Sequence, residues 1–225
     1  MCFSASASFG AGAILAVVGV LSLKKVQTRS EIGFASIPLI FAIQQISEGF
    51  LWLALTKPEY AWLQQFTTYT FLTFAQVIWP IWVPVSILLL EKKEQRRTIQ
   101  KIIVAIGAAV SIYLGFCLFT YNVEARVEAY HISYKLNFPA YFSGLGSLLY
   151  IIATVAPPYF SSINRMWALS TAIFISYIIT AVFYTDYIIS VWCFFASIIS
   201  ITVLVIMSEV RKRCDEIASA IAFQS

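Results

Sequence analysis

Seven stretches of this chain are apolar for long enough to cross a bilayer, and its polar residues collect mainly in the segments between them. A helix rising 1.5 Å per residue needs about 17–25 apolar residues to span hydrocarbon. The runs cover residues 9–23, 33–55, 68–90, 102–120, 140–157, 167–184 and 187–207. Backbone polar groups cannot be left open in lipid, so helices are the economical form for all seven. The first and fifth runs are short and glycine-rich, with Gly10, Gly12 and Gly19 in one and Gly144 and Gly146 in the other. Small residues at such spacing allow close helix approach. The expected architecture is an all-α, seven-helix transmembrane bundle forming a single membrane domain over residues 1–225.

The long segment 121–139 breaks the pattern. Apolar residues alternate through Val123, Ala125 and Val127 and again through Ile132, Tyr134, Leu136 and Phe138, which predicts strands. The set Val123, Val127, Tyr130, Tyr134 fits a helix face equally well, and both readings make the segment a cap over one end of the bundle. Residues 208–225 read as a helical extension of mixed charge.

Composition agrees with the pattern. Sixty per cent of residues are hydrophobic and 12% charged, against about 25% charged in a soluble domain. The net charge of +4 reflects loop placement and gives no case for nucleic-acid binding. Lys24, Lys25, Arg29, Lys92, Lys93, Arg96, Arg97, Lys101, Arg165, Arg211, Lys212 and Arg213 fall on one side, and Lys57, Arg126 and Lys135 on the other. The positive-inside rule then puts the amino terminus outside and the carboxyl terminus in the cytoplasm. No basic segment precedes the first run, which ends in Lys24-Lys25, so the start does not read as a cleaved leader.

Orientation turns scattered residues into candidate chemistry. Glu48 lies inside the second run beside Gln44 and Gln45, and an ionised carboxylate at the bilayer centre costs about 2.5–3.5 kcal/mol on insertion scales. At 1.5 Å per residue it sits ~10 Å below the outer boundary, with Gln44 one turn deeper on the same face. Gln76 and Trp79 in the third run and Cys193 in the seventh share that depth, and Asp186 marks the boundary. His131, the one histidine, is in the cap. Glu48 is the candidate acid/base, with His131 and Cys2 as catalytic partners; Gln44, Gln45, Gln76, Trp79, Tyr134, Trp192 and Cys193 are candidate ligand contacts. The plain alternatives are a structural carboxyl bonded to a neighbouring helix, an interfacial histidine, and cysteines that pack. Removal of Met1 would leave Cys2 with an amine beside a thiol, a pair that can activate a nucleophile or chelate a metal.

Several chemistries lack their residues. The late runs contain no lysine for a retinal Schiff base, and one histidine rules out a bis-histidine haem within one chain. HExxH, GxSxG and P-loop patterns are absent. Cys2, Glu48, His131 and Cys193 would form a mixed set suited to zinc or copper. Three functions stay open: an outward-facing binding or catalytic site for a small molecule or ion, whether or not the chain is an enzyme; a proton- or cation-coupled transporter; and a sensor or scaffold with a structural polar cluster. A transporter needs polar residues continuing to the inner face, and a pocket needs an apolar floor beneath Gln44. The bilayer is the expected partner, and self-association is compatible with any of the three.

The islands MCFSASASF, IPLIFAIQQISEGFLWL, IWPIWVP, HISY and SVWCFFAS give the chain a further character. It resembles an uncharacterised bacterial integral-membrane family whose members begin MCFSA. The resemblance implies a multi-pass protein of the inner (plasma) membrane and supplies no activity. Its islands contain Cys2, Ser4, Gln44, Gln45, Glu48, Trp79, Pro80, His131, Tyr134, Trp192 and Cys193.

Overall fold

A computed structural model describes residues 4–128, 130–139 and 143–224. Among the described residues the regular structure is helical apart from one hairpin. Helix α1 (Ala5–Leu23) begins at Ser4, whose hydroxyl caps the Ala7 N–H, and α2 (Ile37–Thr56) follows a helical turn at Ile32–Ala35. The third span is composite: α3 (Gln64–Leu72), a π-helical turn (Thr73–Ile78) and α4 (Trp79–Leu90). Then come α5 (Glu94–Thr120), the hairpin β1 (Val123–Glu128) and β2 (His131–Leu136), α6 (Ser143–Tyr159), α7 (Met166–Phe183), α8 (Ile188–Ile199) and α9 (Thr202–Gln224).

Six helical segments are long and apolar enough to cross a membrane: Ala5–Leu23, Arg29–Thr56, Pro58–Leu90, Glu94–Thr120, Met166–Phe183 and Thr185–Lys212. They fall on six of the seven apolar runs, and the chain is a helical membrane protein. The fifth run is different. Its described helix, α6, has 17 residues, with Pro157 and Pro158 inside its last turn, and at 1.5 Å per residue it extends only about 25 Å.

The ambiguous segment 121–139 resolves as the antiparallel hairpin, with Val123 opposite Leu136, Ala125 opposite Tyr134 and Val127 opposite Ile132. These apolar pairs share one face because side chains alternate along a strand. Ala125, Ile132 and Tyr134 pack with Leu51, Trp52, Phe71, Leu72, Ala75, Leu118 and Cys193 in one of two buried clusters. The alternate positions carry ion pairs, Arg126 with Glu124 at 2.7 Å and Lys135 with Glu128 at 3.9 Å. The second cluster fills the basic end of the bundle around Phe34, Phe41, Trp79, Ile87, Met166 and Met207.

Two prolines explain the composite third span. Within the π turn the Trp79 N–H reaches back five residues to the Phe74 carbonyl. The next carbonyl in that register, Ala75, would need the N–H of residue 80, which is proline and has none. The Tyr150 hydroxyl of α6 donates to it instead, and the Ser111 hydroxyl of α5 donates to the Val77 carbonyl at 2.7 Å. Pro84 likewise removes the i+4 donor for the Pro80 carbonyl. That oxygen points at Gly107 of α5, where a β-carbon would stand 2.0 Å from it. A glycine Cα–H against a carbonyl is a weak hydrogen bond that lets backbones meet.

The basic end is tied together by side chains. Glu91, buried where α4 ends, accepts from the Ser162 N–H and hydroxyl, both at 2.6 Å, and from the Lys93 N–H at 2.9 Å. Arg96 donates to the Ser161 carbonyl, Arg97 to the Glu91 carbonyl at 2.9 Å, and Gln100 to the Pro157 carbonyl at 2.7 Å. Burial raises the Glu91 carboxyl, but hydrogen bonds from Ser162 and Lys93 and the nearby Arg96 outweigh it and hold the pKa below its ordinary value.

Candidate functional site

Between the two apolar clusters lies a layer of polar side chains contributed by three helices, α2, α4 and α8. Gln44, Gln45 and Glu48 of α2 are wholly buried, as is Ser190 of α8. The Ser190 hydroxyl donates to Glu48 Oε1 at 2.6 Å. The Trp79 indole N–H donates to Gln44 Oε1 at 2.7 Å, and its ring stacks on Phe41 with centroids 3.9 Å apart. Ser190 and Cys193 are one helical turn apart and so share a face. That arrangement brings the Cys193 thiol within electrostatic reach of the Gln44 amide and the Glu48 carboxyl. Glu48 therefore fixes α8 against α2 through Ser190, a partner 142 residues away that the depth reasoning did not name.

A cavity of about 380 Å³ opens beside this layer. The π turn contributes Ala75 and Gln76, α5 Tyr113 and Leu114, α6 Ser147 and Tyr150, α7 Tyr177, and α8 Trp192 and Cys193, with Leu136, Phe138 and Pro139 from the hairpin strand and its exit. Its size lies within the range of small-molecule sites, about 300–1,000 Å³. Two buried polar atoms on lining residues, Gln76 Oε1 and Trp192 Nε1, have no hydrogen-bond partner among the described residues. Such atoms cost about 1–3 kcal/mol each when left unmet. The Trp192 ring is held edge-on by Tyr150 and Tyr177, at 5.7 and 5.2 Å between centroids.

A smaller chamber of about 70 Å³ lies on the basic side of the same wall. Tyr150, Trp192 and Cys193 line both spaces. Beyond them the surroundings turn apolar, with Phe34, Ile37, Val83, Ile87, Leu169 and Val203 at the far end and Thr154 and Ser200 as small polar exceptions. Glu48 and Gln44 line neither space.

The remaining candidates are dispersed. His131 stands in β2 against the turn before α8, stacked on Tyr187 at 4.7 Å and edge-on to Tyr184 at 5.4 Å. Burial pushes its imidazole below the ordinary histidine value, so it is uncharged at neutral pH. Tyr134 stacks parallel on Phe71 at 5.1 Å. Gln45 is sealed in α2, and neither atom of its amide has a hydrogen-bond partner among the described residues. Cys2 lies outside the described residues. Among the described residues no three of His, Cys, Asp or Glu converge closely enough to hold a metal ion.

Sequence reasoning did not single out Ser190, Tyr150, Tyr113 or the π turn. The prolines at 80 and 84 were the available signal for the last, since a missing N–H frees a carbonyl that some neighbour must meet. Residues 1–219 match the family of unknown function DUF6629, and the chain belongs to that family. No curated protein and no solved structure matches it.

Proposed function

We propose that this member of DUF6629 is a seven-helix membrane protein, amino terminus outside and carboxyl terminus in the cytoplasm, whose outward-facing intramembrane pocket binds a small molecule. The cavity beneath the hairpin carries the reading, because it has the volume of a small-molecule site and Gln76, Tyr113, Ser147 and Tyr177 set amide and hydroxyl groups among its aromatic and aliphatic lining. The lysine and arginine distribution supports the orientation. The seventh span is α6, whose 17 residues are compatible with a locally thinned or protein-surrounded crossing. Glu48 acts as a positioning residue: through Ser190 it sets the rotation of α8 and hence the exposure of Trp192 and Cys193 to the cavity. The apolar end of the smaller chamber favours a blind pocket over a through-path.

Thiol accessibility tests this. In a variant lacking the native cysteines, Ser147→Cys on the cavity wall is expected to react with a charged, water-soluble methanethiosulfonate added outside and not with the reagent added inside. Ala196→Cys, on the smaller chamber, is expected to react from neither side. Labelling of Ala196→Cys from the cytoplasmic side would favour the transporter, and an inert Ser147→Cys would remove the pocket.

A further inference from the structure

The two spaces differ in chemistry, and they meet at three side chains. The larger holds Gln76, Tyr113, Ser147 and Tyr177; the smaller is walled mainly by aliphatic and aromatic carbon. Among the three shared residues, Tyr150 is held in part by one hydroxyl bond to the Ala75 carbonyl, an acceptor that exists because Pro80 follows the π turn. Trp192 packs edge-on against it and keeps an unbonded indole N–H. Cys193 is small. A rotation of Tyr150 would therefore join the spaces without moving a helix, at the cost of one hydrogen bond. At the far end Phe34, Ile87 and Val203 are almost fully buried, and Trp79 is pinned by both Gln44 and Phe41.

Resting on the pocket reading above, we propose that the ligand is a slender single-chain amphiphile. Its compact head both donates and accepts a hydrogen bond, and its unbranched alkyl tail passes Tyr150 into the smaller chamber. The head is defined by the polar lining of the larger space, where the Gln76 amide and the Tyr113, Ser147 and Tyr177 hydroxyls both donate and accept, and a hydroxyl group can meet either kind. The tail is defined by the chamber, whose 70 Å³ is less than half the roughly 150 Å³ of a cavity that holds benzene. A narrow chain end fits there and a ring does not.

Primary ω-bromoalkanols of increasing length serve as probes, read by quenching of tryptophan fluorescence in protein reconstituted in lipid nanodiscs. Bromine quenches an indole on contact, and Trp192 and Trp79 line the proposed path. Exposed Trp62 and Trp167, away from both spaces, report only unsaturable partitioning. The expected result is a saturable component whose affinity rises about fourfold per methylene up to a limiting length. Ala196→Phe, which fills the smaller chamber, should shorten that length and leave short-chain affinity unchanged; Ile173→Ala, which enlarges it, should lengthen it. The second variant carries the test if the first does not fold. A limiting length unmoved by either variant overturns the amphiphile and leaves the pocket standing. Absence of saturation at every length overturns the amphiphile as well, and the pocket falls with it only if Ser147→Cys is also inert.

Discussion

Gly107→Ala asks how much of the bundle depends on the contact between α5 and the proline-broken third span. The added methyl would stand 2.0 Å from the Pro80 oxygen, 3.0 Å from its carbon and 3.3 Å from Pro84 Cγ. An ordinary carbon-to-oxygen contact is about 3.3 Å, so the helices must separate by ~1.3 Å or tilt. Neither Pro80 nor Pro84 can turn away as a flexible side chain would. Overpacking of this kind costs about 1–3 kcal/mol, and a gap of 0.5–1 Å along the remaining interface forfeits about a quarter to a half of each dispersion contact it opens. Alanine's better helix propensity returns at most about 1 kcal/mol. We therefore expect a net loss of about 2 kcal/mol, or ~4–8 °C in unfolding midpoint by the scaling for soluble chains of this length. Thermal unfolding of the detergent-solubilised protein, followed by tryptophan emission, measures it. Gly115→Ala is the matched control, two turns along the same helix, where the nearest atom is Val77 Cγ2 at an ordinary 3.5 Å. Equal midpoints for the two variants would refute the close backbone contact.

Two further outcomes follow from the buried carboxylates. Ser190→Ala removes the hydroxyl that donates to Glu48 at 2.6 Å and should cost about 1–3 kcal/mol. Glu48→Gln keeps an acceptor for Ser190 and should cost less; if chemical unfolding ranks it as the more damaging, charge and not the hydrogen bond holds α2 to α8. Glu91 has a lowered pKa, so its folded form binds a proton less readily than its unfolded form. Its stabilisation is present above the unfolded value and is lost as pH falls through the lower folded one. The midpoint advantage of wild type over Glu91→Gln should therefore shrink on acidification from about pH 6 to about pH 3, and an advantage constant over that window would count against the clasp.

The apolar runs were legible because membrane length and hydropathy are properties of a segment by itself, and six of them fall on membrane-length helices. The hairpin was half legible. Alternation at Ala125, Ile132 and Tyr134 suggested strands, and only packing on Leu51 and Phe71 decides against the helical face. Glu48 was conspicuous from its cost in hydrocarbon, yet its partner Ser190 was not. Serines are common in this chain, and helix rotation selects one of them without a local signal. The Glu91 clasp was hidden for a related reason: a glutamate beside Lys92 and Lys93 reads as a solvated loop charge until Ser162 is seen to cover it. The cavity was invisible at the sequence level because it is made by what the Tyr150, Tyr113 and Trp192 rings leave between them.

The third span has a consequence for biogenesis. Its middle cannot satisfy its own backbone, because Pro80 and Pro84 deny the Ala75 and Pro80 carbonyls their donors in register, and the Tyr150 hydroxyl and the Gly107 backbone stand against them instead. Both partners are synthesised later. A nascent chain ending at Leu90 would present open acceptors to lipid, so the segment is expected to linger beside the insertion machinery until α5 and then α6 emerge. The order of synthesis is thereby built into the membrane integration of this protein: the helix that walls the pocket is the one that must wait.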